Sequence, residues 1–226
     1  VCFNPVRPSL LYCASGREVT AWDVRMLPPS VEGSSNCGGS DGHHLSPVNR
    51  YTFNVEEINQ VSIDRKGATL AAADDSGEIQ IIDVSNQSSG HTGKLLKTLK
   101  GGHTNLASAV SFRDHKPWDV VSGGLDCALV KWDYSRSSPV ARWSVTELAA
   151  AEAVVEAEDR DETASPTQMC NPPFVHALAV TGGVGGTSTK GLPSGSGNGS
   201  AGGADEHAFV FAARRLPPPP SGDGTN

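Results

Sequence analysis

Two residues in this sequence have the types that acid–base chemistry uses. His103 in "GGHTN" and Asp126 in "GGLDC" are an imidazole and a carboxylate, the partners of a general acid–base pair. A hydroxyl nucleophile to go with them would be Ser122, but "VSGGL" lacks the G-x-S-x-G turn that exposes a reactive serine. None of the seven histidines stands at a familiar spacing from a nucleophile. His43 and His44 fall in a Gly/Ser-rich stretch, where solvated side chains are expected rather than metal ligands. The glycines of "TGGVGGTSTKG" (181–191) place neither G-x-x-x-x-G-K-[ST] nor G-x-G-x-x-G, so this tract reads as a linker rather than a phosphate cradle. The expectation is a protein that is not an enzyme, with no catalytic residue, metal or cofactor.

Composition narrows the partners. The net charge of −7 argues against a phosphate-binding surface and fits a soluble protein that meets other proteins. The five cysteines are odd in number, widely spaced and without C-x-x-C, so neither zinc nor a disulfide framework is indicated. Cys13 and Cys127 fall in strand-like runs and are expected to be small buried hydrophobes in a reducing compartment, cytoplasmic or nuclear. No apolar run approaches the ~18 residues of a membrane span. The start "VCFNP" carries neither Met nor a basic leader, which suggests a piece of a longer chain.

The elements that would position these residues repeat. "LLYCASGREVTAWDV" (10–24), "ATLAAADDSGEIQIIDV" (68–84) and "DVVSGGLDCALVKWDY" (119–134) each read as strand, tight polar turn, strand. They close at Trp22-Asp23, Ile82-Asp83 and Trp132-Asp133, 60 and then 50 residues apart. Further alternating, strand-like runs are "NRYTFNV" (49–55), "INQVSID" (58–64), "KLLKTLK" (94–100), "ASAVSFRD" (107–114) and "PVARWSV" (139–145). "PFVHALAV" (173–180) and "HAFVFAA" (207–213) read as a first and second strand of one more unit. Between them lie low-complexity tracts at 27–48, 85–93, 181–206 and 213–226, and an Ala-rich acidic tract at 146–170. Ser144 with Glu147 forms a capping-box pattern, so a short helix is expected to begin the acidic tract. Its run "EAEDRDE" (156–162) reads as solvated. "RRLPPPP" (214–220) has Arg214, Pro217 and Pro220 at the spacing of a polyproline ligand.

"GGH" (101–103), "VVSGGLD" (120–126) and "KWD" (131–133) together resemble the signature of WD-repeat β-propellers. The resemblance implies an all-β fold of about three to three and a half four-stranded blades, with the ~40–45-residue period stretched by insertions. The units run 1–55 with an insertion at 27–48, then 56–100 and 101–145. An acidic insertion at 146–170 follows, and 171–226 opens a fourth blade with an insertion at 181–206. The resemblance also implies that His103, Ser122, Asp126 and Trp132 join in one buried hydrogen-bond chain that holds the third blade. Trp22, Ile82, Asp83 and Asp133 become structural residues at repeat ends, with Trp22 buried between blades. The second repeat departs from the pattern: alanines stand where Ser would, and Glu56-Glu57 where Gly-His would. The first has no Asp in its shortened "SGRE" turn.

"WDVR" (22–25) matches the Trp-Asp-x-Arg pattern that, in this family, marks docking onto the adaptor of a cullin-RING ubiquitin ligase. The resemblance then implies adaptor binding through Asp23 and Arg25, in a substrate receptor that holds an unknown target elsewhere. Arg25 equally fits a solvated rim residue paired with Asp23, in a scaffold of some other complex. No nucleic acid or membrane partner is expected.

Overall fold

The computed structural model describes residues 1–26, 46–86, 93–114, 116–136, 138–147, 174–180 and 209–213, the last as backbone alone. Most of each low-complexity tract, including His43, His44, Cys37, Cys170, the run 156–162 and Arg214–Pro220, lies outside the described residues.

Strand-forming stretches fold back on their neighbours in sequence, so each sheet is a simple antiparallel meander. The first sheet contains β1 (Cys2–Phe3), β2 (Leu10–Ser15), β3 (Glu18–Asp23) and β4 (Asn49–Tyr51) in that order. The second contains β5 (Ile58–Ile63), β6 (Thr69–Asp74), β7 (Ile79–Asp83) and β8 (Lys94–Leu99). The third contains β9 (Ala107–Arg113), β10 (Lys116–Gly124), β11 (Ala128–Asp133) and β12 (Ser138–Ser144). A two-stranded pair, β13 (Val175–Val180) and β14 (Phe209–Ala213), follows. The chain is thus all-β, with three four-stranded antiparallel sheets among the described residues.

The sheets stack face to face. Alternation along a strand sends successive side chains to opposite faces, so a sheet between two others is apolar on both. The second sheet shows this: every residue of β6 is buried, as are Ile79, Ile81 and Ile82 of β7. Ile82 and Leu70 pack against Tyr12, Val19 and Ala21 of the first sheet. Ile79 and Ile81 pack against Val120, Val130 and Trp132 of the third. A smaller cluster joins Leu129 of the third sheet to Val175 of β13.

The leading strands meet side by side, with β1 against β5, β5 against β9 and β9 against β13. Polar side chains sew them together. Gln60 Oε1 accepts from the Val110 amide at 2.9 Å, Asn59 Nδ2 donates to the Ala107 carbonyl at 3.1 Å, and Ser108 Oγ donates to the Val175 carbonyl. A cavity of about 850 Å³ follows this inner edge, lined in part by Phe3, Gln60, Ser62, Ser111 and Leu178. Gly77 is needed where the second sheet's hairpin abuts the third sheet: its φ is +77°, and a Cβ there would meet the Asn105 carbonyl at 2.6 Å.

Several expectations need correction in detail. The run 49–55 is strand only as far as Tyr51, because the chain then turns inward to bury Asn54. Cys127 is not in a strand; it sits in the turn before β11 with φ +55°, and both it and Cys13 are half-buried. Trp22 is half-buried rather than enclosed, because it lies on the face of the first sheet turned away from the second. Ser144 does cap a helical start: residues 145–147 are helical and the Glu147 amide donates to Ser144 Oγ at 3.3 Å.

Candidate functional site

The third sheet brings His103, Ser122, Asp126 and Trp132 together. Val120 and Trp132 are cross-strand neighbours in β10 and β11, and two residues beyond Val120, Ser122 points to the same face. The indole Nε1–H of Trp132 donates to Ser122 Oγ at 2.8 Å, and Ser122 Oγ lies 2.7 Å from His103 Nε2. His103 Nδ1 lies 3.0 Å from Asp126 Oδ1. Trp can only donate and a carboxylate only accept, so the chain runs one way. Ser122 donates to Nε2, and His103 donates from Nδ1. Gly102 makes the approach possible, since a Cβ there would meet the Trp132 ring at 2.3 Å.

The electrostatics favour a neutral imidazole beside an ionised carboxylate. Burial lowers the His103 pKa, opposed only in part by the Asp126 hydrogen bond and charge. For Asp126, burial pushes upward, but hydrogen bonds from His103, the Thr104 amide and Arg142 together outweigh it and hold the carboxyl low. The Thr104 amide stands 3.0 Å from Asp126 Oδ2 and Arg142 Nη2 3.1 Å from it. With both ends of the imidazole occupied, no lone pair remains to take a proton from a substrate.

The second sheet has a polar chain that its residue pattern did not announce. Asn54, not Glu56 or Glu57, reaches inward: its Nδ2 donates to Asp74 Oδ2 at 2.9 Å, and both residues are buried. Asp74 Oδ1 accepts from the Ser76 amide at 3.1 Å. Glu56 is exposed and pairs loosely with Arg17 at 3.5 Å. In the first sheet the Trp22 indole donates to Thr20 Oγ1 at 2.9 Å, and Thr20 in turn donates to the Cys13 carbonyl at 3.2 Å.

At the repeat ends the aspartates do one job three times. Asp23 Oδ1 accepts from the Arg25 amide at 3.0 Å, Asp83 Oδ1 from the Ser85 amide at 2.9 Å, and Asp133 Oδ1 from the Ser135 amide at 3.0 Å. Each is a carboxylate-capped turn that ends the third strand of its sheet. Arg25 completes the first of these turns. Its Nε and Nη2 grip Asp23 at 2.9 and 2.6 Å, while its side chain stays 76% exposed. The Arg25 hydrogen bonds hold the Asp23 carboxyl at about 2.

No family model matches the chain. Among curated proteins it matches the WD repeat-containing protein 53 homolog of Dictyostelium discoideum, 32% identical over 180 residues. The match takes in 79% of this chain and 43% of that protein, so the chain spans less than half the length of this relative. The chain is related to WD-repeat proteins. Its three four-stranded sheets correspond to partial WD-repeat blades. Among the described residues, no group of three or more His, Cys, Asp and Glu side chains is placed to hold a metal ion. No helix there is long and apolar enough to cross a membrane.

Proposed function

We propose that this chain is a non-enzymatic scaffold that binds other proteins through the loops at the ends of its sheets. One observation carries the reading. The His–Asp pair, the chain's nearest approach to catalytic chemistry, is consumed at both imidazole nitrogens inside the third blade. Its loops, by contrast, keep charged side chains in solvent. We place the scaffold in the cytoplasm or nucleus, in keeping with free thiols at Cys2, Cys13 and Cys127. A narrower kinship with the WD repeat-containing protein 53 group is part of the same proposal, suggested by "SGREVTAWDVR", "LAAADDSGEIQIIDV" and "NPPFVHALAV".

A second reading makes the scaffold a ubiquitin-ligase substrate receptor that docks its adaptor through Asp23 and Arg25. What favours it is the "WDVR" tetrapeptide together with an Arg25 side chain that is largely exposed. The local grip of Asp23 on Arg25 supports the generic scaffold instead, since a partner carboxylate would have to displace or share that pair. Affinity purification of the tagged chain and its Arg25→Ala variant, followed by mass spectrometry, tests both. The scaffold reading expects the same stable protein partners from the two baits. Loss of one ligase adaptor from the variant alone would establish the second reading. Baits that return nothing would remove the scaffold.

A further inference from the structure

The sheets share one orientation, so their loops form two sets at opposite ends of the strands. One end holds the loops that leave the leading strands and those that leave the third strands. Arg7, Arg25, Arg65, Lys66, Lys94 and Arg136 are exposed there, against one exposed acid, Asp114, among the described residues. The other acids at this end are engaged: Asp64 is buried and caps the Ala68 and Thr69 amides, and Asp23 and Asp133 close turns. The opposite end is mixed, exposing Glu56, Glu57, Asp75 and Glu147 against Arg17, Arg50, Lys100 and Arg142. Among the described residues, the exposed charge of this end is therefore mostly basic, in a chain of net charge −7.

Within that end, contacts gather four segments at the junction of the second and third sheets. Tyr134 packs against the core that the second and third sheets share, with Thr69, at the end of the loop that carries Arg65 and Lys66, beside its hydroxyl. Its amide donates to the Trp118 carbonyl at 3.1 Å. Lys97 Nζ reaches the Ser135 carbonyl at 3.3 Å, which draws the start of β8, and with it Lys94, beside the 134–136 turn. Arg136, with a side chain 78% exposed, stands on that turn, only 3.5 Å from Asp133 at its nearest.

Trp118 is an aromatic residue of this patch that stays in solvent. It is 48% exposed, although the neighbouring Asp119 is drawn inward by Arg113 at 2.6 Å. The pairing of β9 with β10 slips between Lys116 and Val120, and such an irregularity re-aims a side chain. An indole in solvent, on the strand whose backbone meets the 134–136 turn, is the kind of side chain that anchors an interface.

We propose that this patch docks an acidic, extended segment of a partner protein, its carboxylates on Arg65, Lys66, Lys94 and Arg136 and an apolar side chain against Trp118. The proposal rests on the scaffold reading and gives it a surface and a partner chemistry. A nucleic acid is the less suited polyanion, because the chain's net negative charge repels a long phosphate backbone. A short peptide meets only the local field, within about 10 Å at ordinary ionic strength.

Fluorescence anisotropy of the full chain with a fluorescein-labelled (Glu-Asp-Leu)4 peptide tests this. Binding should weaken steadily with added salt. The double reversal Arg65→Glu/Lys66→Glu, and Arg136→Glu alone, should each weaken it at least tenfold, and Trp118→Ala several-fold. Arg17→Glu and Lys100→Glu at the opposite end should leave it unchanged, with circular dichroism confirming that every variant is folded. Equal binding by all variants, no binding, or tighter binding of (Lys-Lys-Leu)4 or of a single-stranded oligonucleotide would overturn the assignment. If the peptide is ignored while affinity purification still returns partners, the patch falls and the scaffold stands. If the purification is empty too, both fall.

Discussion

His103 is held between two hydrogen bonds and a low-dielectric wall, and that makes it a pH-dependent strut. Its pKa is lowered in the folded chain, chiefly by burial, while in the unfolded chain it titrates near 6.5. Between those two values the unfolded state binds the extra proton, so stability rises with pH across the window and is lost as pH falls below about 6.5. Asp126 has the opposite origin and the same sense. Its carboxyl is held low by its donors, and its contribution disappears only as pH falls through the carboxylate range. Urea unfolding of the wild type should therefore show a midpoint that drops between pH 7 and pH 5, and His103→Gln should be less stable at pH 7 but lose much of that slope. A wild-type midpoint flat over this range would contradict a buried, neutral imidazole. The grouping of His103, Ser122, Asp126 and Trp132 could be read ahead because donor and acceptor types recur at the spacing of a known signature. Asn54 and Asp74 were not, because an amide 20 residues ahead of a carboxylate belongs to no recurring pattern, and Glu56 and Glu57 occupied the expected places.

Strand-sized elements carry the next level of constraint, which is shape. Gly123 of β10 faces Val175 of β13, and a Cβ on it would meet Val175 Cγ1 at 2.3 Å. This glycine has ordinary backbone angles, so the missing methyl is purely a matter of room at the seam. Gly123→Ala should cost roughly 1–3 kcal/mol through overpacking, with raised hydrogen exchange concentrated in 175–180. Adding Val175→Ala should restore most of the loss, and a double-mutant cycle would read the coupling directly. Two variants whose costs simply add would show that the seam does not close as described. The strand runs themselves could be read from alternation, and the outer meanders largely follow. What alternation does not report is how far each face is covered. Trp22 and Trp132 have the same local sequence setting, yet Trp132 is fully enclosed by the second sheet while the face bearing Trp22 has no described sheet against it. Burial is a property of the neighbour, and a strand pattern carries no information about the neighbour. Charge has the same limit: a sum of −7 argued against basic surfaces, while among the described residues the fold gathers exposed bases with a single exposed acid at one end.

In the whole molecule the second sheet is the shared partner, and its stability is a sum of two interfaces. Ile81 faces the third sheet and Ile82 the first, and both are fully buried one residue apart on the same strand. In a stack of repeats each interface term belongs to its own pair of neighbours. Truncating either isoleucine to Ala removes buried methyls and leaves a cavity, at a cost of about 2–5 kcal/mol. The two losses should differ in place though not in size. Ile81→Ala should loosen the packing around Trp132, shifting indole emission to longer wavelength and speeding amide exchange in β9 to β12, with β2 and β3 still protected. Ile82→Ala should do the reverse, freeing β2 and β3 around Tyr12 and Val19 while Trp132 keeps its emission. Mass-resolved hydrogen exchange on both variants decides the matter. If either substitution loosens all three sheets equally, the stack unfolds as one unit, and the nearest-neighbour account of its energetics is wrong.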